Sequence, residues 1–353
     1  MNTPDWLNTV RRVAIFRALN LGDMLCAVPA LRAVRRRLPH AHIALIGLES
    51  AKPVLDHFPG YIDEWIEFPG DEAFPERRVD HARLPGFFQE MQQRNFDLVI
   101  QMHGSGPRSN EIVQAMQARQ WVGFVSERVM EVPGQLLMWP DHLHEIHRYL
   151  ALMQHVGLGT DGDSLEFPLT RDDLERSRTL AGSAGLELER TVLLHAGARL
   201  RSRRWPVERF AAVGRQLTQD GWQVALTGSP AESEITSQLA SSIGSDCVDL
   251  SGATDLGTLA ALLHQSRLLV CNDTGISHVA AAVKLRSVVI ASGSDVRRWA
   301  PLDTRRHTVL FVQTACRPCA YDVCPFGHVC ALSVTEEQVL AEARRHLREV
   351  CVQ

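Results

Sequence analysis

The chain has no stretch that qualifies as a membrane span. Nowhere does an uninterrupted apolar run reach the roughly 18 residues needed, and the opening MNTPDWLNTVRRV lacks the apolar core of a secretory signal. A cytoplasmic protein is expected, with membrane contact at most peripheral. Charge bias is absent as well: the formal net charge is -4 and the pI about 6.4, which gives no overall attraction to nucleic acid. Several catalytic signatures are missing. G-x-x-x-x-G-K-[ST] and G-x-S-x-G do not occur, and HGSGPRSN at 103–110 stops short of a full G-x-G-x-x-G. ATP-driven, dinucleotide-redox and esterase chemistries lose support accordingly. DHLHEIHRY carries His142, His144 and His147 but no H-E-x-x-H, so these histidines read as helix surface. No internal repeat or low-complexity tract stands out.

What is present is α/β grammar. At 353 residues the chain is long enough for two ordinary domains. Apolar, β-branched runs recur at 13–16, 42–47, 97–104, 191–197, 223–229, 267–273 and 287–293. Runs apolar on both faces suit parallel strands covered by helices. After the first run, Ala27, Leu31, Val34 and Leu38 form one helical stripe, with Arg32, Arg35, Arg36 and Arg37 elsewhere, and Pro39 ends the segment. The alternation pauses at about 150–190, where LGTDGDSLEFPLTRDD is rich in Gly, Asp and Pro, and a domain boundary is expected there. Two doubly wound domains imply a cleft, with ligands at the carboxyl ends of the strands.

The loops at those strand ends carry the candidate chemistry. In NLGDM, Gly22 permits a tight turn and Asp23 sits near a helix start, either as a cap or as a general base facing the cleft. In HAGARLRSRRWP, Arg199, Arg201, Arg203 and Arg204 crowd a turn before a helix. They form a solvated face, or guanidinium forks converging with helix amides on phosphate. In LTGSPAE, Glu232 lies on a first helical turn, where it can cap or accept from ribose hydroxyls. CNDTGISHVAAAV runs from a strand into an alanine-rich helix. The amides of Thr274 and Gly275, after Asp273, could meet a diphosphate, with His278 about one turn on.

Cysteine is used in two ways. Cys26, Cys247, Cys271 and Cys351 are scattered, whereas CRPCAYDVCPFGHVC brings Cys316, Cys319, Cys324 and Cys330 together, with His328 beside them. In a cytosolic chain such bunching points to metal before disulfide, and four thiolates can close around one zinc or iron ion. The spacing matches no standard zinc-finger pattern, so reduced thiols or disulfides remain alternatives.

Taken together, LGDMLCAVPALRAVRRRLP, DLVIQMHGSGPRS, HAGARLRSRRWPVERFAAVGRQL, GSPAE and DTGISHVAAAV resemble, in order, glycosyltransferase family 9, the ADP-heptose:lipopolysaccharide heptosyltransferases. The resemblance implies a GT-B fold: two Rossmann-like doubly wound parallel-sheet domains facing a central cleft. It places an acceptor domain at 1–170, a nucleotide-sugar domain with the Cys-rich tail at 171–332, and a final helix at 333–353 packing back on the first domain. It also implies an inverting transfer of heptose from ADP-heptose to a lipid-linked lipopolysaccharide core acceptor at the inner membrane, with Asp23 as base. The donor would meet Arg203, Arg204, Glu232, Asp273, Thr274, Gly275 and His278. Arg203 stands where the family usually has the lysine of K-x-W-P, which replaces a compact ammonium by a fork. No catalytic metal is implied. In the branch acting on autotransporter proteins a C-terminal cysteine cluster holds iron, with different spacing. Two further readings stay open: a transferase using a protein acceptor or another nucleotide sugar, and a non-catalytic metal-binding scaffold that keeps a GT-B shell.

Overall fold

A computed structural model of the chain describes residues 5–349, and Cys351 lies outside the described residues. Two compact units result, Met1–Leu165 and Glu166–Gln353, against an expected boundary at 170. In the first, the strands are β1 (Arg12–Phe16), β2 (His42–Gly47), β3 (Glu64–Glu67), β4 (Leu98–Gln101), β5 (Gln120–Val125) and β6 (Leu136–Met138). Its helices are α1 (Leu21–Arg37), α2 (Lys52–Leu55), α3 (Leu84–Gln93), α4 (Arg108–Ala115) and α5 (Glu145–His155). The second unit has strands β7 (Thr191–His195), β8 (Gln223–Leu226), β9 (Cys247–Asp249), β10 (Leu268–Asn272), β11 (Ser287–Ile290) and β12 (His307–Leu310). Its helices are α6 (Arg171–Ser183), α7 (Val207–Gln219), α8 (Ser233–Ile243), α9 (Leu256–Gln265), α10 (Gly275–Ala282), α11 (Val296–Trp299), α12 (Val329–Leu332) and α13 (Glu336–Arg348).

Both sheets are parallel, and both share one topology. The orders are β3-β2-β1-β4-β5-β6 and β12-β11-β10-β7-β8-β9, so within each unit the first strand lies between the second and the fourth. This is the doubly wound Rossmann order, whose direction reverses between first and fourth strands and opens a crevice at their carboxyl ends. The switch points are therefore β1/β4 and β7/β10. Each sheet is packed into its own core, around Phe16, Ile46 and Val99 in one unit and Leu194, Val270 and Trp205 in the other.

All seven runs read as strands form β1, β2, β4, β7, β8, β10 and β11. The strands β3, β5, β6, β9 and β12 escape that reading. Four of these, β3, β6, β9 and β12, are edge strands and only half covered, as with Glu64–Glu67 and Leu136–Met138, so they carry no continuous apolar run. In β5, Gly123 interrupts the pattern because it packs on Gln101, to whose Cβ a side chain there would come within 2.6 Å.

Three other features are set by local contacts. The final helix buries its apolar face within the second unit. Val339, Ala343 and Leu347, at i, i+4 and i+8, are buried in the core of the second unit, and the Arg344 Nε and Nη2 donate to Asp220 at 2.6 and 2.8 Å. The reason is local: only residues 333–335 separate α12 from α13, and the Val334 carbonyl is held by Trp205 Nε1 at 2.9 Å. His144 is not surface but the N-cap of α5, its Nδ1 accepting from the Ile146 amide at 3.2 Å. The arginines of α1 are also committed internally. Arg32 donates to the carbonyls of Asp161 and Ser164, Arg35 and Arg36 pair with Asp63 and Asp161, and Arg37 donates to Asn8. Among the described residues no helix is long and apolar enough to cross a membrane.

Candidate active site

In the first unit the site is built at the end of β1. The chain leaves Phe16 and enters α1 with Asn20 as N-cap, so Asp23 is not the cap; it lies in the first helical turn and is partly exposed. Beneath it sits Arg17, which is fully buried. Its Nε and Nη2 donate to the main-chain oxygen of Asp23 at 3.1 and 2.5 Å, and its Nη1 donates to Met102 O at 2.6 Å. The guanidinium lies 4.2 Å from the centre of the Tyr149 ring and 3.9 Å from Glu145 Oε1, which accepts from the Tyr149 hydroxyl at 2.6 Å. Burial works against the charge, but Tyr149, Glu145 and Asp23 outweigh it and hold the Arg17 pKa above its ordinary value. A permanent cation thus lies under the turn that presents Asp23.

Alongside, His103 follows β4. Its Nδ1 accepts from the Ala18 amide at 3.2 Å, so the neutral ring carries its proton on Nε2, and it packs 4.1 Å from the Phe74 ring. Burial, with Arg17 adding to it and Asp71 opposing, takes the His103 pKa down to about 3. His307 in the second unit is likewise taken to about 4, chiefly by burial. Unfolded, each would bind a proton near pH 6.5, so below that value the unfolded chain takes up protons that the native one refuses. Stability therefore falls on acidification through the window from about 6.5 to about 4, with a slope of up to about 2.7 kcal/mol per pH unit from the two groups. Urea midpoints at pH 7 and 4.5 measure this, and His103→Asn, which keeps an acceptor for the Ala18 amide, should reduce the slope by up to about 1.4 kcal/mol per pH unit. An unchanged slope would show that His103 does not supply it.

In the second unit the candidate residues sit on the carboxyl ends of β7, β8 and β10. Asn272, fully buried at the end of β10, organises the arginine loop: its Oδ1 accepts from the Trp205 amide at 2.9 Å and its Nδ2 donates to Ala196 O at 2.8 Å. That fixes residues 196–205 across the β7/β10 switch point. Arg203 lies in a 3-10 turn, Arg201–Arg203, with its Nη2 donating to Cys319 O at 2.5 Å and its Nε buried without a partner. Burial lowers its pKa against the pull of Asp273 and Cys319, and Arg317 adds to the lowering. Such a half-paired guanidinium beside a carboxylate is ready to accept an anion. Arg204 uses its Nε on the loop's own Ala198 carbonyl at 2.9 Å, Arg199 is exposed, and Arg201 pairs with Asp322. Only two lysines occur in the whole chain, Lys52 and Lys284, and neither is on this loop. The cationic contact here is therefore guanidinium.

Of the two roles that the sequence left open to it, Glu232 takes the capping one. Its Oε2 accepts from the Ser229 amide and hydroxyl, both at 2.8 Å, closing a capping box, while Oε1 overhangs Gly197 so closely that a Cβ there would lie 1.9 Å away. Next to it His195, buried at the end of β7, faces Thr227 Oγ1 at 3.1 Å, and burial lowers its pKa with Glu232 opposing. After β10, Thr274 is the N-cap of α10 but makes no side-chain cap, so no side chain occupies the cap position at that helix start. His278 is buried one turn on, its ring 6.2 Å from Trp299.

The four bunched cysteines do come to one place. Cys316, Cys319, Cys324 and Cys330 all line a cavity of about 770 Å³, together with Pro318, Tyr321 and Phe326. They do not form the expected zinc or iron site: among the described residues no three His, Cys, Asp or Glu side chains are arranged to hold an ion. Each thiol is instead occupied locally. Cys316 Sγ is 3.4 Å from the Thr314 hydroxyl, Cys324 Sγ accepts from the Phe326 amide at 3.4 Å, Cys319 Sγ lies against Gly293, and Cys330 is buried on α12.

With this geometry described, the family model of glycosyltransferase family 9 (heptosyltransferase) matches residues 86–330. The chain belongs to glycosyltransferase family 9. It is accordingly an enzyme of glycosyl transfer, which removes the scaffold reading. Lipopolysaccharide heptosyltransferase 2 of Salmonella typhimurium is 25% identical over 354 residues, covering 93% of this chain and 96% of the relative. Among solved structures, a family 9 glycosyltransferase from Veillonella parvula matches with a TM-score of 0.83 at 21% identity, covering 99% of this chain and 100% of that one. The ADP-heptose lipopolysaccharide heptosyltransferase II of E. coli matches with a TM-score of 0.74 at 20% identity, covering 96% and 98%. These likenesses confirm the expected α/β fold of the GT-B class.

Three residues of this family 9 site escape a reading of the sequence: Arg17, His103 and Asn272. Each is a polar residue ending or following an apolar strand, and in FRALN, QMHG and LVCND nothing but that position marks it. Position was the available signal, since strand carboxyl ends at a switch point are where ligands bind.

Proposed function

We propose that this family 9 enzyme transfers heptose from ADP-heptose to a lipopolysaccharide core acceptor, with inversion. The observation that carries this is Arg203 at the β7/β10 switch point, whose buried Nε lacks a partner and which feels the charge of Asp273 just before the start of α10. The Asp23 carboxylate takes the proton of the acceptor hydroxyl as its oxygen bonds to the anomeric carbon. The bond from that carbon to the diphosphate breaks, and ADP leaves with the electron pair. Arg203 and the amides of Thr274 and Gly275 take up the charge that develops on the leaving diphosphate, with Arg204, Asp273 and His278 completing the donor site. With guanidinium and helix amides in that role, the step calls for no catalytic metal. The work is placed in the cytoplasm, at the periphery of the inner membrane where the lipid-linked acceptor is found.

Glu232 receives the ribose hydroxyls on the oxygen not used in its capping box. Gly197→Ala follows as a test, because a methyl there must displace that carboxylate. The expected result is a KM for the donor raised about tenfold with kcat little changed, since charge-assisted hydrogen bonds are lost in binding. An unaltered KM would remove Glu232 from the donor site.

The overall reading is tested by incubating the enzyme with ADP-heptose and lipopolysaccharide truncated before its heptoses, and following ADP release and acceptor mass. Release of ADP with one added heptose supports it. Turnover of a different nucleotide sugar, or of a protein acceptor only, would replace it.

A further inference from the structure

Since the four thiols do not converge on an ion, the segment that carries them, residues 316–330, needs another explanation. Its hydrogen bonds supply one. Every residue of the Arg201–Arg203 turn is held by it. The Arg201 Nε and Nη2 donate to Asp322 Oδ2 at 3.2 and 3.0 Å. The Ser202 amide donates to Asp322 O at 2.7 Å, the Ser202 hydroxyl donates to Tyr321 O, and Ser202 O accepts from His328 Nε2 at 2.9 Å. Arg203 Nη2 donates to Cys319 O.

The other side of the segment is tied just as firmly to the loop after β11. The Cys319 amide donates to Gly293 O at 2.9 Å, and the buried Arg317 donates to Ala291 O at 2.6 Å and Ser294 O at 2.8 Å. A rigid strand end thus supports the segment, and the segment supports the turn. One detail of backbone points the same way. His328 sits at φ 57, in the left-handed region where glycine is the cheap residue, directly after Gly327 at φ 67. A non-glycine side chain is kept there at a conformational cost, and its ring nitrogen reaches the centre of the arginine turn.

We propose that residues 316–330 are a positioning element for the donor diphosphate, aiming the Arg203 guanidinium through His328, Asp322 and the Cys319 carbonyl rather than through the thiols. This rests on the reading of Arg203 as the diphosphate contact. His328 and Asp322 touch the turn and not the nucleotide, so they act through Arg203. Holding one Nη on a main-chain oxygen leaves Nε and the remaining fork directed at the anion, which lowers the ordering cost of binding.

The test uses His328→Gly, which removes the imidazole while relieving the left-handed backbone, with Asp322→Ala added. ADP affinity is measured by calorimetry in the wild-type and Arg203→Met backgrounds, alongside thermal midpoints. The expected result is ADP binding weakened about tenfold by the pair, at an unchanged midpoint for His328→Gly alone, and less than about twofold further weakening when Arg203 is already methionine. Wild-type affinity in the paired variant would overturn the proposal, as would a full tenfold loss that persists in the Arg203→Met background. If Arg203→Met itself binds ADP as the wild type does, the donor-site reading fails, and the positioning role with it. A weakened Arg203→Met with an inert pair sinks the positioning role alone.

Discussion

Asp23→Asn lowers kcat about a thousandfold while leaving the affinity for ADP unchanged, as expected for removal of a general base. The separation follows from where the residue sits. Asp23 belongs to the first unit, in the first turn of α1, whereas the residues assigned to the donor are all in the second. Asparagine keeps the shape of the side chain, and the bonds from Arg17 reach the main-chain oxygen of residue 23, so they survive the substitution. The loss then reports on the missing carboxylate rather than on a disturbed helix. Steady-state transfer rates beside ADP calorimetry make the measurement, and turnover within a few fold of wild type would take Asp23 out of the chemistry.

Arg203→Met carries the second large effect, a fall in kcat/KM for the donor of about 10²-fold or more, because charge developing on the leaving diphosphate loses its guanidinium. Methionine fills much of the same space, while the Nη2 bond to Cys319 O and the unpartnered Nε both disappear. Arg203→Lys separates charge from geometry. An ammonium restores the charge, but it is a single point and cannot hold the carbonyl and the phosphate in one plane, so recovery should be partial. Full recovery with lysine would mean that the fork is immaterial here, and wild-type kinetics in Arg203→Met would mean that the diphosphate is bound elsewhere.

How much of this was legible in the sequence depends on what each element had to bury. Inner strands such as β1, β4 and β10 are covered on both faces, so VAIF, LVI and LLVC announce themselves. Strands β3 and β6 are half covered, and their sequences EWIE and LLM carry no such mark. The loops bearing Asp23, Glu232 and Asp273 could be found because they end legible strands. Arg17 and Asn272 could not, since a buried polar side chain declares itself only through its partners, here the carbonyls of Asp23 and Ala196.

Two elements show what sequence spacing leaves open. Four cysteines close in sequence suggest four converging thiols; the fold brings all four to one cavity, where among the described residues no three His, Cys, Asp or Glu side chains are arranged to hold an ion. The apolar stripe of the final helix specifies that a surface is buried and not which one. Its three-residue tether to α12, anchored at Val334, decides the matter.

A crystal structure with ADP bound tests the central claim most directly. The account predicts the two phosphates within hydrogen-bonding distance of Arg203 Nε and of the Thr274 and Gly275 amides at the start of α10, with the ribose hydroxyls on the free oxygen of Glu232. A nucleotide whose phosphates lie away from the β7/β10 switch point, with Arg203 Nε still unpartnered, would contradict it.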